Sequence, residues 1–154
     1  MITENKLDPN KIKLSERYAY SFDNYLGSTG EPWNNSRVIE QNAILRRRYN
    51  PAEKVRLTPG IINHNEGIPL EEATIELIFG QGIVVEDCKR WTVQEVNGRY
   101  SWEFRKSINN RGRNSDDSIF IRFPRPDRYL ITAVIDGKYL DGRKEVSYSI
   151  ELYE

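Results

Sequence analysis

The chain has 154 residues, and 23 Lys and Arg residues balance 23 Asp and Glu residues to a formal net charge of zero. This length predicts one domain with one hydrophobic core, and an aromatic content of 11% argues against a disordered chain. One Cys excludes intrachain disulfides and cysteine-cluster zinc sites, and one His excludes metal sites that need two imidazoles.

The first element is a strand. Residues 11–26 place apolar side chains at even positions and mostly polar ones at odd positions, which is the period of a half-buried strand. Residues 27–36 are rich in Gly, Ser, Asn and Pro and indicate a loop. We expect this strand to cover part of a core supplied by later elements.

The next segment, residues 37–49, is ambiguous. Ser36 is a suitable N-cap residue, and the spacing of the apolar residues after it favours a short helix. Val38-Ile39 and Ile44-Leu45 also fit two short strands. We favour the short helix.

From residue 53 onward the pattern predicts an all-β fold. About seven short segments alternate apolar and polar residues, at the spacing typical of an antiparallel sandwich. Asn97-Gly98 predicts a tight hairpin turn, whereas 109–118 is polar and indicates a long loop. Segment 129–135 is apolar on both faces, which predicts a central strand. The lack of long amphipathic helices argues against a parallel sheet with helical crossovers.

Two segments carry a family resemblance. Leu57-Thr58-Pro59-Gly60-Ile61-Ile62-Asn63-His64-Asn65-Glu66-Gly67 with the strand after it, and Phe123-Pro124-Arg125-Pro126-Asp127-Arg128-Tyr129, resemble a hairpin and a corner of prokaryotic immunoglobulin-like β-sandwich accessory modules. These modules are of the cell-adhesion-related and glycosidase-associated types. The resemblance covers residues 53–154 and implies an immunoglobulin-like sandwich with a non-catalytic role. Asp127-Arg128 departs from the glycine that is usual at that corner, and no functional residue is carried over.

Candidate catalytic residues are few. His64 is the single imidazole, and a general base needs partners that the neighbouring residues do not supply in any known motif. The alternative interpretation is that His64 is an exposed residue of a turn. Cys88 has basic neighbours on one side and acidic ones on the other, and the alternative to a nucleophile is an inert thiol at a strand end. We therefore expect no enzyme and no cofactor.

Acidic turns supply the candidate metal ligands. Asp116-Asp117, and Asp136 with Asp141, can in principle offer oxygen ligands to Ca²⁺, but neither has the spacing of an EF-hand loop. Ordinary turn chemistry, in which Asp bonds its own backbone, explains the Asp-Gly pairs equally well. We expect no metal site.

The predicted binding surface combines aromatic and basic residues in loops and strand ends. Trp33 lies in a polar loop, where an exposed aromatic side chain is typical of recognition, although it can also fold back over the sheet. Tyr129 is a candidate tyrosine corner. The predicted binding residues are Trp33, Arg46, Arg47, Arg48, Tyr49, Arg111 and Arg113.

These patterns favour a two-part chain, with an N-terminal extension at 1–52 packed on a sandwich at 53–154. We expect a recognition or assembly module that binds another protein or a second copy of itself. The alternative is a module that binds a carbohydrate, a nucleotide or a nucleic acid through Trp33 and the Arg46–Arg48 cluster. Since there is no signal peptide pattern and no apolar stretch of the roughly 20 residues that span a membrane, we expect a cytoplasmic protein without membrane contact.

Overall fold

The computed structural model describes residues 7–22, 37–87, 92–94, 99–104, 106–113 and 118–154. This part of the chain forms one 3-10 turn, Pro9–Lys11, and twelve strands. The strands are β1 (Ile12–Phe22), β2 (Arg37–Ile39), β3 (Ile44–Arg48), β4 (Glu53–Asn63), β5 (Glu71–Phe79), β6 (Val84–Asp87), β7 (Thr92–Gln94), β8 (Arg99–Glu103), β9 (Arg111–Arg113), β10 (Ile119–Arg122), β11 (Arg128–Lys138) and β12 (Lys144–Tyr153). No helix in the described ranges is long and apolar enough to cross a membrane.

The strands form two sheets that face each other. Sheet I has the order β2-β1-β4-β10-β6, with β9 beside β4, and sheet II has the order β3-β12-β11-β5-β8-β7. Described strand pairings are antiparallel except for β3 with β12, which run parallel. The predicted immunoglobulin-like β-sandwich is therefore confirmed.

Alternation along the strands creates the core. In β5, Ala73, Ile75, Leu77 and Phe79 are buried, while the residues between them are half-buried. Because successive side chains in a strand point to opposite faces, this pattern turns one face of each sheet toward the other. Strand β11 lies between β12 and β5, as its two apolar faces predicted.

The predicted short helix at residues 37–49 is wrong. The chain there forms β2 and β3, joined by a turn in which Asn42 has a φ of 65°. Strand β3 pairs with β12 over five positions, from Ile44 beside Ser149 to Arg48 beside Tyr153. An isolated short helix is marginal in water, so this long-range pairing outweighs the weak helical pattern.

The strand count after residue 53 also differs from the prediction. Nine strands, β4 to β12, replace the expected seven or so. One of them, β9, lies in the predicted loop 109–118 and pairs with β4. Asn97-Gly98 lies outside the described residues, but β7 and β8 on either side of it pair antiparallel.

The N-terminal segment contributes strands to both sheets. All eleven residues of β1 pair with β4, β2 extends sheet I beyond β1, and β3 lies at the edge of sheet II. The division of the chain at residues 52 and 53 stays a prediction.

Candidate functional site

Strand β3 is an open edge of sheet II. The backbone groups of the odd-numbered residues face β12. Ser149 donates its N–H to the Ala43 oxygen at 2.9 Å, and Tyr49 donates its backbone N–H to the Tyr153 oxygen at 2.7 Å. Since the direction of the backbone groups alternates along a strand, the N–H and C=O groups of residues 44, 46 and 48 point away from β12. In the part of the chain that the structure describes, no strand pairs with that side of β3.

A row of alternating charge runs across the outer face of sheet II to this edge. Arg128 on β11 lies beside Glu151 on β12, which in turn lies beside Arg46 on β3. The Arg46 Nε atom is 3.5 Å from Glu151 Oε1, and the Arg46 side chain is 64% exposed. The row therefore ends at the open edge with a positive charge.

A second row, called the apolar row below, runs beside the first and has two apolar residues with a buried serine between them. Leu130 lies next to Ser149, and Ser149 lies next to Ile44 at the edge. Leu130 is 51% exposed, which is unusual for leucine in the middle of a sheet, and Ile44 is half-buried. A strand added at this edge would extend both rows.

Arg47 does not belong to this outer surface. It points between the sheets, where its Nε and Nη2 atoms donate to the two carboxylate oxygens of Glu53 at 2.8 and 2.7 Å. The side chains are 13% and 8% exposed, respectively. Because Glu53 begins β4, this two-pronged ion pair joins sheet II to sheet I.

The predicted binding residues therefore divide between two faces. Tyr49 is half-buried, packs against the core and donates its hydroxyl to the Phe123 oxygen at 3.3 Å. Arg48 is exposed beside Tyr153, which is itself 48% exposed. Arg46 and Arg48 thus share the outer face, whereas Arg47 and Tyr49 join the two sheets.

The remaining predicted site residues lie elsewhere. The backbone of Arg111 and Arg113 belongs to β9 in sheet I, whereas β3 belongs to sheet II, and their side chains lie outside the described part of the structure. Trp33, Cys88 and Asp116-Asp117 also lie outside the described residues.

His64 lies in a surface depression at the turn between β4 and β5. Asp8, Lys11 and Glu66 line the same depression, so ionisable groups share it with the imidazole. His64 itself is exposed, and the described residues contain no group of three or more His, Cys, Asp or Glu side chains able to hold a metal ion. The absence of catalysis stays a prediction.

Two buried asparagines hold this turn, and the sequence analysis did not find them. Asn63 donates to the oxygens of Ile68 and Ile108 at 2.9 and 3.0 Å, and its own oxygen accepts the backbone and side-chain N–H groups of Asn65. Asn65 in turn accepts the N–H of Asp8 at 2.9 Å. The signal available in the sequence was the pair of asparagines around His64, whose amides can serve several backbone groups at once.

A buried carboxylate was also missed. Glu16 is 0% exposed on β1, and the Tyr148 hydroxyl lies 2.5 and 2.6 Å from its two oxygens. Glu16 occupies an even position in the alternating strand, among residues that point into the core. A charged residue at such a position indicates a buried hydrogen-bonded group, since an isolated charge is costly to bury.

Two turn predictions have structural counterparts. Tyr129 donates its hydroxyl to the Arg125 oxygen at 2.6 Å, which confirms the tyrosine corner, and burial raises the pKa of Tyr129 above its ordinary value of 10.0. The Asp136 carboxylate accepts the Gly137 N–H at 2.8 Å and lies 3.5 Å from the Nε atom of Arg143. These Asp136 contacts fit the interpretation as turn chemistry.

Comparisons with known proteins give remote structural likenesses. No protein-family model and no curated protein matches the chain. A non-cellulosomal cohesin from Archaeoglobus fulgidus is 12% identical, with a TM-score of 0.47 over 75% of this chain and 90% of the cohesin. The seventh ScaB type I cohesin from Pseudobacteroides cellulosolvens is 10% identical, with a TM-score of 0.48 over 73% and 88%.

A third likeness covers a larger share of this chain. A family 123 glycoside hydrolase from Clostridium perfringens is 9% identical, with a TM-score of 0.41 over 92% of this chain but 27% of the hydrolase. The likeness is remote. At these identities and TM-scores, the comparisons do not indicate which molecules this chain binds.

Proposed function

We propose that this chain is a non-catalytic recognition and assembly module that binds an extended segment of protein at the open edge of β3. The observation that carries the proposal is the geometry of that edge. The backbone groups of residues 44, 46 and 48 face away from the sheet over the length of a short strand. An edge of this kind is a template for strand addition, in which backbone hydrogen bonds supply affinity and alternate side chains supply specificity.

The outer face of sheet II supports the same function. The apolar row through Leu130 and the charged row through Glu151 both end at β3. A bound segment would place alternate side chains beside Ile44 and Arg46, so the edge selects a segment that has an apolar and an acidic residue two positions apart. Arg46, whose side chain is 64% exposed, and Leu130, which is 51% exposed, are the accessible members of these rows.

The ligand-binding alternative lacks a comparable feature in the described residues. It requires the arginines at 46–48 to converge on one ligand, but the Arg47 guanidinium contacts Glu53 between the sheets. Arg46 is partly offset by Glu151, so the outer pair of arginines carries a small net charge. Polyanion binding is typical of a broader basic surface.

Site-specific photo-crosslinking tests the proposal. A benzophenone amino acid replaces Arg48 at the edge, and a matched control replaces Glu66, which is exposed at the β4–β5 turn. We expect light-dependent protein adducts from position 48 in the producing cells and none from position 66. Equal labelling at both positions, or none at position 48, contradicts the proposal.

A backbone variant separates strand addition from other contacts. Arg46→Pro removes an N–H that points to the open edge, while the bonds to β12 come from the residues on either side of it. We expect Arg46→Pro to abolish the adduct at position 48 with a native circular dichroism spectrum. If this variant does not fold, the charge reversal Arg46→Glu takes its place, and an unchanged adduct yield contradicts the proposal.

A further inference from the structure

We infer that the segment that binds at β3 is β6 of a second copy of this chain, so that copies join head to tail. This inference rests on the proposed function and names its partner. Strand β6 is the outermost described strand of sheet I, and within the described ranges no strand pairs with its other side, so it offers an edge of its own. The Val84 side chain is 50% exposed and Glu86 is exposed, so the outer face of this edge presents an apolar and an acidic side chain.

The sequences of the two edges are complementary at three successive positions. Residues 44–46 read Ile-Leu-Arg, and residues 84–86 read Val-Val-Glu. When the strands run parallel in this register, Val84 lies beside Ile44, Val85 beside Leu45, and Glu86 beside Arg46. Pairs of this kind between neighbouring strands stabilise a sheet.

This register also continues both rows of sheet II into the next molecule. The apolar row becomes Leu130, Ser149 and Ile44, followed by Val84 of the second copy. The charged row becomes Arg128, Glu151 and Arg46, followed by Glu86 of the second copy, so positive and negative charges alternate along its whole length. A shift of this register by two positions places Val84 beside Arg46 in one direction and Glu86 beside Ile44 in the other.

The two edges lie on opposite sides of the sandwich. Residues 40–43 are a short connection from β2 to β3, so these strands lie at the same side of the molecule. Strand β2 is at one end of sheet I and β6 is at the other. Each copy therefore carries one β3 edge and one β6 edge on opposite sides, and the contact between unlike edges propagates from copy to copy.

A symmetric dimer through β3 alone is disfavoured. Pairing β3 with its own copy brings Arg46 and Arg48 of one chain close to the arginines of the other, and like charges on adjacent strands repel. In contrast, Glu86 contacts Arg122 within its own chain and is exposed enough to accept a second cation. The charge pattern therefore selects the unlike edge.

Charge exchange tests this arrangement by sedimentation velocity. The full chain is measured from about 10 µM to about 1 mM, because a contact made by one pair of strands is small and weak. The variants are Arg46→Glu, Glu86→Arg, and the two substitutions together in one chain. Arg99→Glu is the control, since Arg99 pairs with Glu76 on the same outer face, and its strand β8 is four places from β3 in sheet II and in a different sheet from β6.

We expect wild type to form dimers, trimers and larger species as its concentration rises, and to do so less at high salt. Each single substitution at Arg46 or Glu86 weakens association by about tenfold or more, because it brings like charges together. The double substitution restores association, and so does an equal mixture of the two single variants. Arg99→Glu leaves association unchanged.

Three results overturn the inference. They are a wild type that stays monomeric over this range, a double variant that associates no better than either single variant, and a dimer that does not grow, since unlike edges propagate. The crosslinking experiment at position 48 then tests the proposed function separately. Adducts with a mass other than a multiple of this chain keep the proposed function with a different partner, and the absence of adducts overturns both.

Discussion

Arg47→Ala is the substitution that most directly tests how the arginine cluster is divided. The structure assigns Arg47 to an ion pair between the sheets and Arg46 to the outer face. Although three arginines follow one another in the sequence, only the middle one is expected to matter for stability. Arg46→Ala and Arg48→Ala are matched controls on the same strand.

The expected loss follows from the burial of the pair. Truncation of Arg47 leaves the Glu53 carboxylate, whose side chain is 8% exposed, without the guanidinium that contacts both of its oxygens. Breaking a buried ion pair costs about 3–5 kcal/mol, and the 13% exposure of Arg47 places this case near 3 kcal/mol. An exposed ion pair such as that of Arg46 contributes about 1 kcal/mol or less.

Urea unfolding and thermal melting measure these differences. For a domain of this size, about 3 kcal/mol corresponds to a decrease in the melting temperature of about 6–12 °C. The double variant Arg47→Met with Glu53→Met removes both charges and keeps apolar volume, so it is expected to unfold within about 1 kcal/mol of wild type. The single variants Arg47→Met and Glu53→Met complete the double-mutant cycle.

The reasoning is refuted if Arg47→Ala destabilises no more than Arg46→Ala and Arg48→Ala. It is also refuted if the double variant loses as much stability as the two single variants added together. In either case the ion pair between residues 47 and 53 does not contribute to the stability of the fold as its geometry indicates.

Three further substitutions test the turns and the corner. Asn63→Ala leaves the Asn65 N–H without its buried acceptor and removes the amide N–H that the Ile68 oxygen accepts, so we expect the unfolding free energy in urea to fall by about 2–4 kcal/mol. The control Asn50→Ala removes one exposed turn hydrogen bond at 3.0 Å and should cost about 1 kcal/mol or less. Equal losses in the two variants contradict a stabilising role for the buried Asn63 hydrogen bonds. Because burial raises the native pKa of Tyr129, its contribution to stability is complete below the unfolded value near 10 and is lost as the pH rises through the native pKa. Tyr129→Phe should therefore flatten the fall in the unfolding free energy above about pH 10, and an unchanged slope contradicts this assignment. Gly80→Ala places a Cβ atom 2.8 Å from the Leu130 oxygen, so melting should show destabilisation, and an unchanged melting temperature would show that the backbone yields without cost.

Local patterns in the sequence were sufficient to indicate which faces of these strands are buried. The buried residues of β5 follow the alternation in 73–79, and the apolar faces of 129–135 predicted a central strand. Both follow from the period of two, which is a property of the single strand. The tyrosine corner was predictable for the same reason, since its partner is only four residues away.

The segment 37–49 shows where local patterns fail. Its apolar residues fit a helix and two strands equally well, and the outcome depends on β12, about one hundred residues later in the chain. Pairing with β4 likewise decided that part of a polar loop forms the strand β9. Neither partner can be read from the segment itself, because strand pairing adds hydrogen bonds that no local propensity contains.

The sequence by itself determined that this chain builds a two-sheet β fold, and it limited the available chemistry through one Cys and one His. It also placed a basic cluster at residues 46–48 as the candidate surface. The tertiary structure alone decided which of those arginines face solvent, because the direction of a side chain depends on which strand β3 pairs with. That pairing turned Arg47 toward Glu53 between the sheets, and left Arg46 and Arg48 on the outer face beside an open edge.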